Sequence, residues 1–206
     1  MANHRALHSV GHSVARFLSN TYPAELREEQ DCQFLTVSSG QLAADEDIAP
    51  AITLYLHRVT LDPHVRNLGS RRDPTGAPTP LALDLHFLLT VWADNPVAEH
   101  TLFAWALRQL HLHPLLDVSS LSPEAGWQPD EVIHLIPAEL SNEDLMRIWD
   151  ALVPSYRLSF CYVARAVRID VPTDESVGEP VVARRLEFGA PESGQTGRPG
   201  PSGVTP

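Results

Sequence analysis

The chain of 206 residues is long enough to bury one hydrophobic core of ordinary size, and 43% of its residues are hydrophobic. Its 26 acidic residues outnumber its 15 basic residues, which gives a formal net charge of -11 at pH 7. This balance argues against nucleic acid as a partner, because binding to phosphate needs a dense cationic surface.

The beginning of the chain carries no secretory signal, which would need an apolar run of about 7 to 15 residues. No stretch approaches the roughly 18 consecutive apolar residues of a membrane span. We therefore expect synthesis in the cytoplasm and no membrane insertion. Cys32 and Cys161 stand far apart and outside any C-x-x-C pattern, so we expect two free, buried thiols.

The first half of the chain is predicted to hold one helix and three strands. Apolar residues at helical spacing favour a helix that Tyr22-Pro23 ends, and period-two alternation favours strands that pair antiparallel across a long Pro-rich loop. A loop of this length inside a domain is typically functional. The predicted segments are a helix at 2–20, an acidic irregular region at 24–50 with an edge strand at 32–38, strands at 51–61 and 80–94, and the loop at 62–79.

The second half is predicted to hold two helices and two strands, followed by an extension. Asn95 and Pro96 are typical of a helix start, and Ser141 with Asp144 three residues later is typical of a capped one. Beyond Pro172 apolar residues become sparse, and nine of the last eighteen residues are Gly or Pro. The predicted segments are helices at 96–112 and 141–152, strands at 130–140 and 155–171, an extended arm at 172–188 and a disordered tail at 189–206.

The strand "PLALDLHFLLTVWAD" places Asp84 and His86 on one face, because successive strand side chains alternate. An aspartate beside a histidine can orient an imidazole for catalysis, but no Ser or Cys stands in a recognisable nucleophile motif. The odd-numbered positions from 81 to 91 are all apolar and are predicted to fill the core. Asp84 and His86 are therefore interpreted as a structural pair on a solvated or interface-facing surface.

His4, His8 and His12 follow one another at the i, i+4 spacing that can hold Zn²⁺ on a helix. The predicted helix offers no Asp, Glu or Cys to complete a tetrahedral site, so they are weak metal candidates and we expect no metal or other cofactor. Phosphate-binding glycine loops, G-x-S-x-G elbows and H-E-x-x-H motifs are absent from the sequence. We assign no catalytic residue and expect no enzyme, although a metal-dependent enzyme using these histidines is an alternative.

Several stretches, above all "LALDLHFLLT", "LHLHP" and "RIWDALVPSYRLSFCYVARAVRID", resemble in order and spacing the cap proteins of extracellular contractile injection systems. These are phage-tail-like particles of the antifeeding-prophage and virulence-cassette type. The resemblance covers about residues 1–186 and leaves the roles of the acidic 24–31 segment and of the tail open. It implies an α+β fold like that of phage tail terminators, with a mostly antiparallel sheet covered by helices and a C-terminal extension.

The resemblance also implies a bacterial structural protein with partners in an assembled particle. The expected assembly is a ring of this chain, of six copies, that ends the inner tube and joins it to the sheath; an adaptor that forms no ring is an alternative. The sequence does not determine whether the particle leaves the cell. A closed ring needs two different patches on each copy. The candidate partner-binding residues are Arg66, Arg71 and Arg72 in the long loop, and Arg184 and Arg185 in the arm.

Overall fold

The computed structural model of the protein describes residues 2–43, 50–62 and 80–170. The helices are α1 (Ala6–Thr21), α2 (Ala24–Glu29), α3 (Ser39–Ala43), α4 (Pro96–Leu112) and α5 (Asn142–Ala151), and a 3₁₀ turn spans Pro123–Ala125. The strands are β1 (Gln33–Val37), β2 (Ala51–Leu61), β3 (Leu81–Trp92), β4 (Leu115–Leu116), β5 (Ile133–Ala138) and β6 (Ser159–Ile169). None of the helices in these ranges has the length and apolarity that a membrane span requires.

The strands form one six-stranded sheet in the order β1-β2-β3-β6-β5-β4. Only β1 runs parallel to its neighbour, and the other described pairs are antiparallel. The predicted antiparallel pairing of the second and third strands is confirmed, with Leu54 opposite Leu89. The predicted edge position of the first strand is also confirmed, since β1 ends the sheet.

Helices α1 and α4 cover one face of the sheet and enclose the larger core. The odd-numbered residues of β3 from Leu83 to Val91 lie in this core, as predicted, and Leu85 and Leu89 are fully buried there, whereas Leu81 at the start of the strand is 41% exposed. Gly11 allows α1 to approach the sheet closely, because a Cβ at this position would lie 3.2 Å from both Phe87 and Thr36. The stripe of α4 is buried at Leu102 and Leu110, and Asn95 caps this helix through the Ala98 N–H at 2.9 Å.

Helices α3 and α5 cover part of the opposite face around a second, smaller core. Trp149 of α5 is buried there against Leu88 and Trp92 of β3. The Trp92 indole N–H donates to Thr53 Oγ1 at 2.9 Å, which satisfies its polar atom inside this core. Ser141 caps α5 as predicted, because its Oγ accepts from the Asp144 N–H at 3.1 Å. The fold is therefore α+β with helices on both faces of the sheet, which confirms the predicted fold class.

Several element boundaries differ from the sequence-based predictions. Residues 2–5 lie outside α1, and Ala2 instead forms a parallel bridge with Ile169 of β6. The acidic region predicted to be irregular contains the short helices α2 and α3, and the two-residue strand β4 was not predicted. The last two main strands are shorter than predicted, with β5 at Ile133–Ala138 and β6 at Ser159–Ile169. These short elements depend on packing partners rather than on local periodicity.

A buried polar network joins α1 to the segment that follows β4. Ser9 Oγ donates to the Ser122 carbonyl at 2.9 Å and accepts from the Trp127 indole N–H at 3.0 Å. The Ser122 N–H donates to Ser13 Oγ at 2.7 Å. Because Ser9 and Ser13 have no exposed surface, these bonds replace water for groups that would otherwise be unsatisfied. The network therefore attaches an irregular segment to the core.

The two cysteines are free and buried, as predicted. Burial raises the pKa of Cys32 to about 12 and that of Cys161 to about 11, so both thiols are protonated at neutral pH. A protonated, buried thiol is a weak nucleophile. Both residues therefore behave as small apolar side chains.

Candidate assembly surfaces

The five arginines predicted to bind partners, Arg66, Arg71, Arg72, Arg184 and Arg185, lie outside the described residues. The described structure does define where their segments join the sheet. In the strand register Leu61 pairs with Leu83 and Leu81 pairs with Ile169, so all these residues lie at one end of the sheet. The loop after Asp62 and the arm after Asp170 therefore begin at that same end.

Asp84 lies on the sheet face opposite the larger core, but it is buried rather than solvated. Only 7% of the residue is exposed, so of the two predicted surroundings, solvent or an interface, the first is wrong. Its Oδ2 lies 4.0 Å from Arg165 Nε, and its Oδ1 has no hydrogen-bond partner among the residues that the structure describes. Burial raises the pKa of Asp84 above its ordinary value, the nearby Asp62 raises it further, and Arg165 opposes the shift.

Irregularities in the strands on either side of β3 shape this buried site. In β6 the register shifts opposite Asp84, and Ala166 there has a φ of 66°. In β2 the register shifts between Leu56 and Arg58, so His57 is the extra residue. A phase change in the sequence could have revealed this bulge, because two consecutive polar residues interrupt the alternation of "LYLHRVTL". The bulge places His57 and Arg58 beside one groove.

The histidines on this face bond to neighbours other than Asp84. His86 Nε2 lies 3.0 Å from Thr60 Oγ1, and His57 Nε2 lies 3.5 Å from Cys161 Sγ. Burial is the main cause that lowers the pKa of His57 to about 4, with smaller contributions from His86 and Arg58. Burial also lowers the pKa of His86. Both imidazoles are therefore neutral at pH 7. Among the described residues they contact Thr60 and Cys161, and we interpret these contacts as holding neighbouring strands together.

The three N-terminal histidines are exposed and surround no described metal site. The rings of His8 and His12 stack with their centroids 5.9 Å apart, and His8 Nε2 lies 3.8 Å from Glu124 Oε1. Across residues 2–43, 50–62 and 80–170, no group of three or more His, Cys, Asp or Glu is placed to hold a metal ion. His4, exposed one turn earlier, joins no such group.

A groove with a volume of about 510 Å³ separates α5 from the bulged part of β2. Its apolar wall includes Tyr55, Ile148 and Leu152, and Arg58 and Arg147 lie at its rim. Arg147 donates to Glu143 Oε1 at 2.6 Å. Arg58 is exposed and forms no salt bridge with any described residue. The groove therefore combines an apolar wall with the cations of Arg58 and Arg147 and the carboxylate of Asp144.

Comparison with known proteins identifies the family. The model of the Pvc16 N-terminal domain matches residues 9–183, which is most of the chain. A sheath/tube terminator of an extracellular contractile injection system (PVC, extended state) is similar in fold, with a TM-score of 0.52 and 17% identity over 89% of this chain. The tube-terminating cap of the anti-feeding prophage matches with a TM-score of 0.47 and 18% identity over 83% of this chain.

This chain covers 64% of the length of the PVC terminator and 60% of that of the prophage cap. No protein among the curated sequences matches it. The family match includes the strands, α1, α4 and α5, which are the elements that build the two cores. The chain therefore belongs to the Pvc16 N-terminal domain family.

Proposed function

We propose that this chain is a structural cap of a contractile injection particle. It forms a closed ring of six copies on the distal end of the inner tube, where it stops tube growth and joins the tube to the sheath. The observation that carries this proposal is the match of the Pvc16 N-terminal domain model over residues 9–183. The similarity in fold to a protein described as a sheath/tube terminator supports it.

We also propose that the chain acts through its binding surfaces and catalyses no reaction. The polar groups of the described sheet support this, because His86 is neutral and bonded to Thr60. The neighbouring Cys161 is protonated and buried, so it does not supply a thiolate nucleophile. In this proposal the histidines and Asp84 shape the sheet, and no cofactor takes part.

The proposed contacts with partners involve the loop at 62–79 and the arm at 172–188. Both segments begin at the same end of the sheet, and each carries arginines: Arg66, Arg71 and Arg72 in the loop, and Arg184 and Arg185 in the arm. Carboxylates on the tube, on the sheath or on a neighbouring copy are the expected counterparts, since arginine forms bidentate pairs with carboxylates. Local clusters of arginines on a chain of net charge -11 would also favour one orientation of assembly.

The test is to delete this chain from a particle-producing cell and to measure tube and sheath lengths by electron microscopy. We expect tubes of uncontrolled length or uncapped sheaths, and restored length when the wild-type chain is supplied. Light scattering of the purified chain with its tube protein should detect a species of six copies. Particles of normal length and appearance without this chain would contradict the cap function, and a strict monomer in the mixture would contradict the ring.

A further inference from the structure

The strand β2 extends beyond the strand that pairs with its outer side. The parallel pairing with β1 ends at Val37 and Tyr55, whereas β2 continues to Leu61. From Leu56 onwards β2 pairs with β3 on one side, and no described residue pairs with its other side. We call the segment from Leu56 to Leu61 the β2 edge.

The backbone of the β2 edge has donors and acceptors that point away from the sheet. The Asp62 N–H donates to the Ala82 carbonyl at 3.1 Å, so the polar groups of Asp62 face β3. Because this direction alternates along a strand, Thr60 also faces β3, and the N–H and C=O groups of Val59 and Leu61 face outwards. A row of groups without a partner among the described residues is a template for another strand.

The side chains of the β2 edge are apolar on one face and polar on the other. Val59 and Leu61 are 41% and 50% exposed, although they lie opposite the buried Leu85 and Leu83. On the other face, Arg58 projects beside the α5 groove. A strand added here would cover apolar side chains on one face and place its alternate residues near Arg58.

The edge on the far side of the sheet is less suited to pairing. The Leu135 N–H of β5 donates outwards to the Pro114 carbonyl at 2.7 Å. The next outward position of β5 is Pro137, which has no N–H to donate. The free edge of β6 is covered near its end, where Ala2 bonds to Arg168 and Asp170. The β2 edge therefore keeps the donors that the β5 edge lacks.

We infer that the β2 edge receives the arm at 172–188 of a second copy as an added strand. This inference rests on the proposed ring, in which each copy supplies one patch and accepts another. The arm leaves β6 after Asp170 at the same end of the sheet as Leu61. In "PVVARRLEF", Val182, Leu186 and Phe188 share one face of an extended chain with Arg184, and the three apolar side chains fit Val59 and Leu61. Glu187 falls on the other face together with Arg185, and in the pairing that we infer it is Glu187 that meets Arg58.

Engineered disulfides in the full-length chain test this contact. Copies carrying Leu61→Cys are mixed with copies carrying Leu186→Cys during particle assembly and are oxidised. We expect a covalent dimer from the mixture, and a ladder of up to six copies when every chain carries both substitutions. Leu112→Cys with Leu186→Cys is the control, because Leu112 is 56% exposed but lies on α4. A bond only within one chain, or none between Leu61→Cys and Leu186→Cys, would overturn the inference.

A charge exchange between Arg58 and Glu187 tests the same contact between copies without cysteines. Arg58→Glu and Glu187→Arg should each lower the fraction of capped particles severalfold, and the double variant should restore it. Arg58 is exposed, so neither the single nor the double change removes a buried contact of the described domain. Single variants that cap particles as well as wild type, or a double variant that restores nothing, would contradict the pairing.

These outcomes can be distinguished from failure of the cap function. If the engineered cysteines do not join copies but deletion of the chain still gives tubes of uncontrolled length, only the β2 edge inference is wrong. Normal particles without the chain would contradict the cap function itself. Leu61→Pro and Leu61→Ala add a backbone control, since only proline removes the outward N–H. We expect Leu61→Ala to cap particles and Leu61→Pro to fail, with similar melting temperatures.

Discussion

Acidification is expected to destabilise the domain through His57. In the folded protein burial lowers the pKa of this imidazole from 6.5 to about 4, so the unfolded chain binds the proton more tightly. When the folded-state pKa of a histidine is the lower one, the free energy of unfolding falls as the pH falls from 6.5 through about 4. The neighbouring His86 and Arg58 disfavour a second positive charge and act in the same direction.

The size of this effect follows from the two pKa values. Each pH unit between them corresponds to about 1.4 kcal/mol, which sets an upper bound of about 3.5 kcal/mol. The His57 side chain is only partly buried, and solvent screening reduces the expected loss to about 1 to 2 kcal/mol. Asp84 acts in the opposite direction. Because burial raises its pKa in the folded protein, the folded protein binds this proton more tightly than the unfolded chain, and protonation of Asp84 on acidification stabilises the fold.

Urea unfolding of wild type and of His57→Gln, each at about pH 7 and about pH 4.5, isolates the contribution of His57. Both proteins retain Asp84 and His86, so those contributions largely cancel when the two pH-dependent losses are compared. We expect wild type to lose about 1 to 2 kcal/mol more than His57→Gln on acidification. Equal losses in the two proteins would refute the argument that burial of His57 controls this part of the pH dependence.

Three further predictions concern the second core, the long loop and the tail. Trp149→Ala should lower the free energy of unfolding by about 3 to 5 kcal/mol, because Trp149 is 4% exposed and packs on Leu88 and Trp92. The control is Val153→Ala at a 70% exposed site, which should change the free energy of unfolding by at most about 0.5 kcal/mol. Chemical denaturation of both variants measures this, and similar values would contradict the assigned core. Replacing Arg66, Arg71 and Arg72 by Ala should leave the melting temperature of the isolated chain unchanged. The free energy of association with the partner should weaken by about 2 to 5 kcal/mol for each desolvated arginine–carboxylate pair that is lost, or by about 0 to 1 kcal/mol for each exposed pair. Uncapped particles in electron micrographs would support this, and normal caps would shift the proposal to Arg184 and Arg185. Deleting 189–206 should leave the melting temperature unchanged, since this segment has one Val and no aromatic residue to offset its ordering entropy, and a fall of several degrees would contradict that.

The sequence alone determined the elements whose signals are local. Alternation along β3 identified which side chains fill the larger core, and Leu85 and Leu89 are buried as predicted. Asn95 and Ser141 marked helix starts because a capping side chain bonds to an N–H only three residues away. The fold class and the family followed from the order of these elements and from the resemblance that they carry, and both are confirmed.

Tertiary structure decided the features that depend on residues distant in sequence. Alternation placed Asp84 on the correct face of β3 but could not predict that it is buried, since burial depends on Arg165 and the bulge in β6. The bonds between Ser9 and Ser122 join positions 113 residues apart, so no local pattern announces them. Among the described residues, the outer side of β2 beyond Tyr55 likewise has no partner strand because β1 ends at Val37. Burial and pairing are properties of the assembled sheet, whereas periodicity and capping are properties of a few consecutive residues.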